Sequence, residues 1–118
     1  MTKKRRRIVE TPSGQGRVLR EGQYLADVSY SLQVIQEYIV VSGSAGDEEI
    51  ESLREITAQI SVISGEKDLG LGQQLTLELD DGRSWKFITK TRDHASGTYQ
   101  AVNASRDGLV VADSNSTG

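Results

Sequence analysis

The clearest alternation of apolar and polar residues lies in the segment QLTLELDDGRSWKFITKT, residues 74–91. In its first half every second residue is a leucine, and in its second half Trp85 and Phe87 occupy alternate positions. A period of two places successive side chains on opposite faces of a β-strand. The halves meet at Asp-Asp-Gly, a sequence typical of a turn. The segment therefore predicts a β-hairpin with one apolar face.

The apolar pattern also selects the loop of this hairpin. A two-residue Asp-Gly turn would place Trp85 opposite an acidic residue. A three-residue loop over residues 80–82, closed by Gly82 in the left-handed conformation, pairs Leu77 with Trp85 and Leu75 with Phe87. A slip of one residue would exchange the faces of one strand, so we predict the longer loop and a core position for both aromatic side chains.

The longest alternation covers residues 24–34, where six apolar side chains alternate with polar ones. Residues 38–41 continue as β-like sequence, and one straight strand over both would be about 60 Å long at about 3.3 Å per residue. We therefore predict a bend or bulge near Gln36-Glu37, or two strands that share a corner. Further strands are predicted over residues 17–20, 55–63 and 98–102, with an edge strand at residues 109–111.

The acidic segment DEEIESL, residues 47–53, predicts a short helix. Carboxylates favour the N-terminus of a helix, and Ile50 and Leu53 have the spacing of one helical face.

Together these elements predict an all-β fold, a small antiparallel β-barrel or rolled sheet of about six or seven strands with one short helix. Residues 14–104 are expected to form the single β-barrel-like domain. Residues 1–13 are expected to be a flexible basic N-terminal tail, and residues 105–118 a mostly disordered C-terminal tail.

Charge is distributed unevenly in this chain of 118 residues. The net charge is −3, but five of the 14 basic residues form the run KKRRR at residues 3–7. Without this run, nine basic side chains remain against 17 acidic ones. An acidic body disfavours binding to double-stranded nucleic acid, whereas a basic arm remains suited to phosphate or acidic surfaces.

The chain contains no cysteine, which excludes disulfides and thiolate chemistry. The basic N-terminal run has no apolar segment after it, so no secretory signal is predicted. Apolar runs are too short for the ~18 residues that span a bilayer. We therefore expect a soluble, cytoplasmic protein.

Candidate catalytic and metal-binding groups each have a simpler structural interpretation. His94 lies in a polar loop beside Asp93, and adjacent loop residues seldom form a catalytic pair. The acids of residues 47–51 lack the spacing of a calcium loop, and the glycine pairs at residues 14–16 and 70–72 are incomplete phosphate-loop motifs. Trp85, Lys86 and Phe87 interleave as in surfaces that stack bases, but the predicted register turns both rings towards the core. No catalytic, cofactor-binding or metal-binding residue is predicted.

The basic run followed by Asp27-Val28-Ser29 resembles PilZ-type receptors for cyclic di-GMP. In that family, an Arg-x-x-x-Arg pair on a flexible arm and an (Asp/Asn)-x-Ser-x-x-Gly element on a barrel complete the ligand site. Here Lys3 and Arg7 have the four-residue spacing without the first arginine, and Leu32 stands at the glycine position. The resemblance implies an anion- or nucleotide-binding site, for which the candidate residues are Arg5, Arg6, Arg7, Asp27 and Ser29.

Two functions follow as hypotheses. The leading one is a non-catalytic β-barrel binding or interaction module, not an enzyme, and the alternative is a nucleotide or anion receptor that uses the basic arm. The corresponding partners are a protein or a small anionic ligand. Edge strands such as residues 17–20 or 38–41 would allow a dimer.

Overall fold

A computed structural model describes residues 2–43 and 46–111, and every regular element within these ranges is a β-strand. The strands, in chain order, are β1 (Thr2–Glu10), β2 (Ser13–Arg20), β3 (Gln23–Gly43), β4 (Gly46–Gly65), β5 (Gln74–Glu78), β6 (Arg83–Arg92), β7 (Thr98–Asn103) and β8 (Leu109–Val111). All pairings are antiparallel.

Six of the eight strands form a closed ring of hydrogen bonds. From β3 the ring passes through β2, β5, β6 and β7 to β4, which pairs with β3 again. Alternate side chains of these strands point inwards and form a single core. The fold is therefore the small antiparallel barrel-like sheet that the alternation predicted, with eight described strands where about six or seven were expected. The largest fully buried side chains of the core are Trp85, Tyr99, Phe87, Leu32, Ile56, Ile60, Leu69, Leu75 and Leu77.

The hairpin β5–β6 has the predicted register. Leu75 pairs with Phe87 and Leu77 pairs with Trp85. Gly82 has a φ of 91°, and its N–H donates to the Leu79 carbonyl, so the three-residue loop is confirmed. The exposed fractions of Trp85 and Phe87 are 1% and 0%, which removes both rings from any base-stacking surface.

The long hairpin β3–β4 extends beyond the barrel. Its pairing runs from Ala26 and Gly65 to the tip at Gly43 and Gly46, with one register shift after Asp27 and another after Gln36. β1 pairs with β3 only in this outer part, between Val34 and Val41. We call the resulting three-stranded sheet the arm: it consists of β1, residues 34–43 of β3 and residues 46–55 of β4. The Cα radius of gyration is 16.8 Å, whereas a compact chain of this length is expected near 13.5 Å.

The helix predicted over residues 47–53 is wrong, because these residues belong to β4. Their local preference for a helix start is overridden by the ladder with β3, which pairs Ile50 with Ile39 and Glu48 with Val41. The irregularity expected near Gln36 does occur there. It is a bulge in which β4 has one residue more than β3, so β3 itself continues as one strand of 21 residues.

The flexible N-terminal tail predicted over residues 1–13 also differs from the structure. Residues 2–10 form β1, which runs along the outer part of β3. Near the C-terminus, residues 109–111 form the predicted edge strand, β8, which pairs with β6. Of the rest of the predicted C-terminal tail, residues 105–108 form a turn and residues 112–118 lie outside the described residues.

The two strands expected to be dimer edges lie inside the sheet. Residues 17–19 of β2 pair with β5 on one side and with β3 on the other. Residues 38–41 of β3 pair with both β1 and β4. Any pairing between chains would therefore have to use other strands.

We expect Gly16→Ala to lower the free energy of unfolding by about 2 kcal/mol, because overpacking typically costs this much. A Cβ at Gly16 would overlap the Glu78 carbonyl oxygen, at the seam where β2 meets β5 and closes the barrel. The matched control is Gly43→Ala, whose Cβ would lie 3.4 Å from the Gly46 oxygen. Urea unfolding should separate the two variants, and equal stabilities would contradict this account of the seam.

Candidate functional site

The arm carries opposite charges on its two outer strands. β1 contains five basic residues and one acidic residue, whereas residues 46–55 of β4 contain five acidic residues and one basic residue. Both strands pair with β3, so they lie about 10 Å apart on either side of it. The basic run and the acidic segment, which are 40 residues apart in sequence, thus belong to one surface.

One face of the arm, the charged face, is covered by ion pairs. Arg7 Nη2 lies 2.9 Å from Glu49 Oε2, and Arg5 Nη1 lies 3.4 Å from the same oxygen. The Arg7 guanidinium also lies over the Tyr38 ring, 5.0 Å from its centroid. Val40 is 3% exposed on this face. The charged side chains therefore cover apolar surface with their stems as well as pairing with each other.

The opposite face, the isoleucine face, carries exposed apolar side chains among charged ones. Cross-strand pairing places Ile8 beside Ile35 and Ile39 beside Ile50. Directly opposed residues share a face, so each of these pairs forms an apolar contact. The charged pair Arg6 and Glu37 lies between them on the same face. Ile8 is 56% exposed and Ile50 is 49% exposed. The face consists of Ile8, Ile35, Ile39, Val41 and Ile50, with the exposed Leu53 in the adjacent bulge.

Arg83 fixes the base of the arm to the barrel. Its guanidinium contacts both carboxylate oxygens of Glu10, at 3.0 and 2.6 Å, and Asp81 Oδ2 at 2.7 Å. These hydrogen bonds from Arg83 hold the pKa values of the Glu10 and Asp81 carboxyls below their usual ranges. The end of β1 is thereby joined to the loop between β5 and β6.

The predicted anion-binding residues lie in separate places. Arg5 and Arg7 project from the charged face, whereas Arg6 lies at the edge of the isoleucine face and binds Glu55 at 2.9 Å. Asp27 accepts a hydrogen bond from Ser64 at 3.0 Å, and Ser29 pairs with Ser61.

The distance between the two groups is large. Arg6 is level with Glu37, ten residues along β3 from Asp27, which corresponds to about 30 Å of extended strand. The structure therefore does not bring the basic run together with Asp27 and Ser29.

A cleft of about 650 Å³ lies on the outside of the barrel next to Asp27. Its two arginines are already engaged, because Arg17 binds Glu78 at 2.8 Å and Arg83 binds Glu10 and Asp81. The acidic residues of its lining are Asp27, Glu78 and Asp80. The lining residues thus present no excess of positive charge to an anion.

The single histidine of the chain lies in a loop whose carboxylate forms hydrogen bonds within the loop itself. The Asp93 carboxylate accepts a hydrogen bond from the Ala95 N–H at 3.0 Å, and this bond and one from Ser96 lower its pKa. His94 is exposed beside it. Within residues 2–43 and 46–111, no group of three His, Cys, Asp or Glu side chains is placed to hold a metal ion, and no helix is long and apolar enough to cross a membrane.

The isoleucine face was missed by the sequence analysis because residues 47–53 were predicted as helix. One available signal was the similar length and opposite charge of the segments KKRRR and DEEIE. This signal is weak, because oppositely charged segments need not be neighbours in a fold.

No family model, curated protein or solved structure matches this chain. Its own geometry defines it as a small closed β-barrel from which a three-stranded arm projects.

We expect Arg83→Gln to weaken the dependence of stability on pH. Glu10 and Asp81 have lowered pKa values in the folded state. Their stabilising contribution is therefore present above their ordinary values of 4.5 and 3.8 and is lost as the pH falls through the folded values. Near neutral pH, the free energy of unfolding of the wild type should exceed that of the variant by about 1 kcal/mol or less, because these groups are partly exposed.

This difference should shrink as the pH is lowered from about 5 to about 3. Urea unfolding at a series of pH values measures it. Arg106→Gln, which removes the same charge from an exposed site, serves as the control. A difference that does not change with pH would show that Arg83 acts through packing alone.

Proposed function

We propose that this protein is a non-catalytic interaction module that binds a protein partner through the isoleucine face of its arm. The observation that carries the proposal is the group of exposed apolar side chains on this face, which includes Ile8, Val41 and Ile50. Exposed apolar surface with polar residues around it marks interaction sites. Here Lys4 lies on the same face, and the Arg6–Glu55 ion pair crosses β3 there.

The construction of the arm supports the same proposal. A buried apolar cluster fills the barrel, but it ends at Val34 and Ile56, at the base of the arm. Beyond them, Gln36 and Val40 are the buried residues of the described arm. A sheet gains stability from three or more strands with an apolar face, and that face contributes most when it is covered. A partner protein would supply that cover, and full burial of each half-exposed isoleucine would contribute on the order of 1 kcal/mol.

Two features favour binding over catalysis. His94 stands exposed in a turn whose neighbouring carboxylate is occupied by hydrogen bonds to the turn itself. The cleft on the barrel has both arginines paired with carboxylates. The cytoplasmic location inferred from the sequence stays a prediction.

We expect Ile50→Ser to abolish partner binding and Ile63→Ser to preserve it. Ile50 lies on the isoleucine face, whereas Ile63 is a barrel residue of similar exposure, 52% against 49%. The measurement is affinity purification of tagged full-length protein from the cells that produce it, with quantitative mass spectrometry of the proteins that co-purify. Retention of every co-purifying protein by Ile50→Ser would sink the proposal. So would the absence of any co-purifying protein, an untagged second copy of this chain included, above an untagged control.

The nucleotide-receptor hypothesis makes a different prediction for calorimetry. If the arm binds protein, titration with cyclic di-GMP should produce no binding heat. Heat that disappears when Arg5, Arg6 and Arg7 are changed to alanine would restore the receptor hypothesis. Heat that persists in this variant would place a nucleotide site elsewhere.

A further inference from the structure

We propose that the partner of the arm is a second copy of this chain, joined by pairing β1 of one copy with β4 of the next. This inference rests on the proposed function and specifies its partner. It concerns the two edges of the arm, in addition to the face already described.

Both edges of the arm are open among the described residues. β1 pairs only with β3, and β4 pairs with β7 from Thr57 onwards, so residues 46–55 have β3 alone as neighbour. Each edge therefore has a row of backbone N–H and C=O groups without a strand partner. Such edges are templates for pairing with another chain.

The charges determine which edges can meet. Two β1 edges would bring ten basic side chains together, and two arm edges of β4 would bring ten acidic ones together. Like charges directly opposite each other destabilise a sheet, whereas opposite charges stabilise it. Charge on an edge often protects against pairing. Here charge prevents pairing between two β1 edges or between two β4 edges, whereas a β1 edge and a β4 edge attract each other.

Strand direction allows this pairing to repeat. β1 and β4 both run antiparallel to β3, so they are parallel to each other. Copies related by rotation about an axis along the strands would therefore pair β1 with a parallel β4. Each copy would use one edge for each neighbour, and such head-to-tail contacts close into a ring when the rotation closes. The arms would then form one continuous sheet with three strands from each copy.

The unpaired charges occur at matching heights along the arm. Within one chain, the described ion pairs use Arg5, Arg6 and Arg7 with Glu49 and Glu55. Lys3 and Lys4 on β1, and Asp47 and Glu48 on β4, have no ion pair among the described residues.

These four residues all lie near the tip of the arm. Lys3 of β1 and Glu49 of β4 lie at the same height along the arm, because both pair with Val40 of β3. Glu48 lies one residue nearer the tip. A neighbouring copy without a shift along the axis would place Lys3 beside these carboxylates. The lysines left over at the tip of one chain would thus meet the carboxylates left over at the tip of the next. Glu51, which also has no ion pair among the described residues, lies further from the tip.

The test uses two variants that each reverse one edge. The basic-edge variant is Lys3→Glu with Lys4→Glu, and the acidic-edge variant is Asp47→Lys with Glu48→Lys. All four side chains are exposed, so the monomer fold should persist, which circular dichroism and thermal unfolding check. The matched control for the basic-edge variant is Lys86→Glu with Lys90→Glu, which makes the same charge change at exposed positions of β6.

Oligomeric mass is measured by light scattering after gel filtration at low salt, and by native mass spectrometry. We expect multimers for the wild type and for the control, dissociating as salt screens the charges. Each edge variant alone should be monomeric, because its two edges then carry the same sign near the tip. An equimolar mixture of the two edge variants should assemble again, with the variants alternating.

A monomeric wild type at every concentration, edge variants that assemble like the wild type, or a mixture that stays monomeric would each overturn the inference. The proposed function is tested separately. A monomeric wild type that still captures a different protein through Ile50 would leave the interaction module standing with another partner. A monomeric wild type that captures nothing would overturn both.

Discussion

Strand β3 is the element on which the rest of the structure depends, because it is paired along both edges for almost its entire length. β4 follows one edge from the barrel to the tip, and β2 and then β1 follow the other. The inner half of this three-stranded sheet curls and is closed by β5, β6 and β7. The outer half has no strands to close it, so it projects as the arm. The same strand thus connects a buried core to an exposed sheet.

The two halves are stabilised by different physical interactions. In the barrel, alternate side chains from six strands meet in one apolar core, and close approach at Gly16 lets β2 join β5. In the arm, the ion pairs of Arg5 and Arg7 and the stacking of Arg7 on Tyr38 cover one face, whereas on the other the described ion pair is that of Arg6 with Glu55. Exposed ion pairs contribute little stability, and the apolar face remains open. This contrast is the physical reason for assigning binding to the arm.

The arm also shows why residue chemistry alone was a poor guide to a site. Five basic residues in a row are suited to phosphate, and Asp27 and Ser29 fitted a known receptor pattern. In the structure, the arginines of that run are engaged with carboxylates of β4, and Asp27 is engaged with Ser64. These side chains therefore bind mainly to residues of their own sheet. What remains unsatisfied is the apolar face and the two open edges.

The sequence alone determined the all-β class, the β5–β6 hairpin with its loop and register, and the core positions of Trp85 and Phe87, because alternation and turn residues act over a few neighbouring positions. The bulge near Gln36 was also predictable, from strand length. Only the tertiary structure decided that residues 2–10 and 47–53 are strands, since each is ordered by a partner distant in sequence rather than by its own pattern. The open isoleucine face and the oppositely charged edges depend on that pairing, and so the candidate site could not be predicted from local sequence.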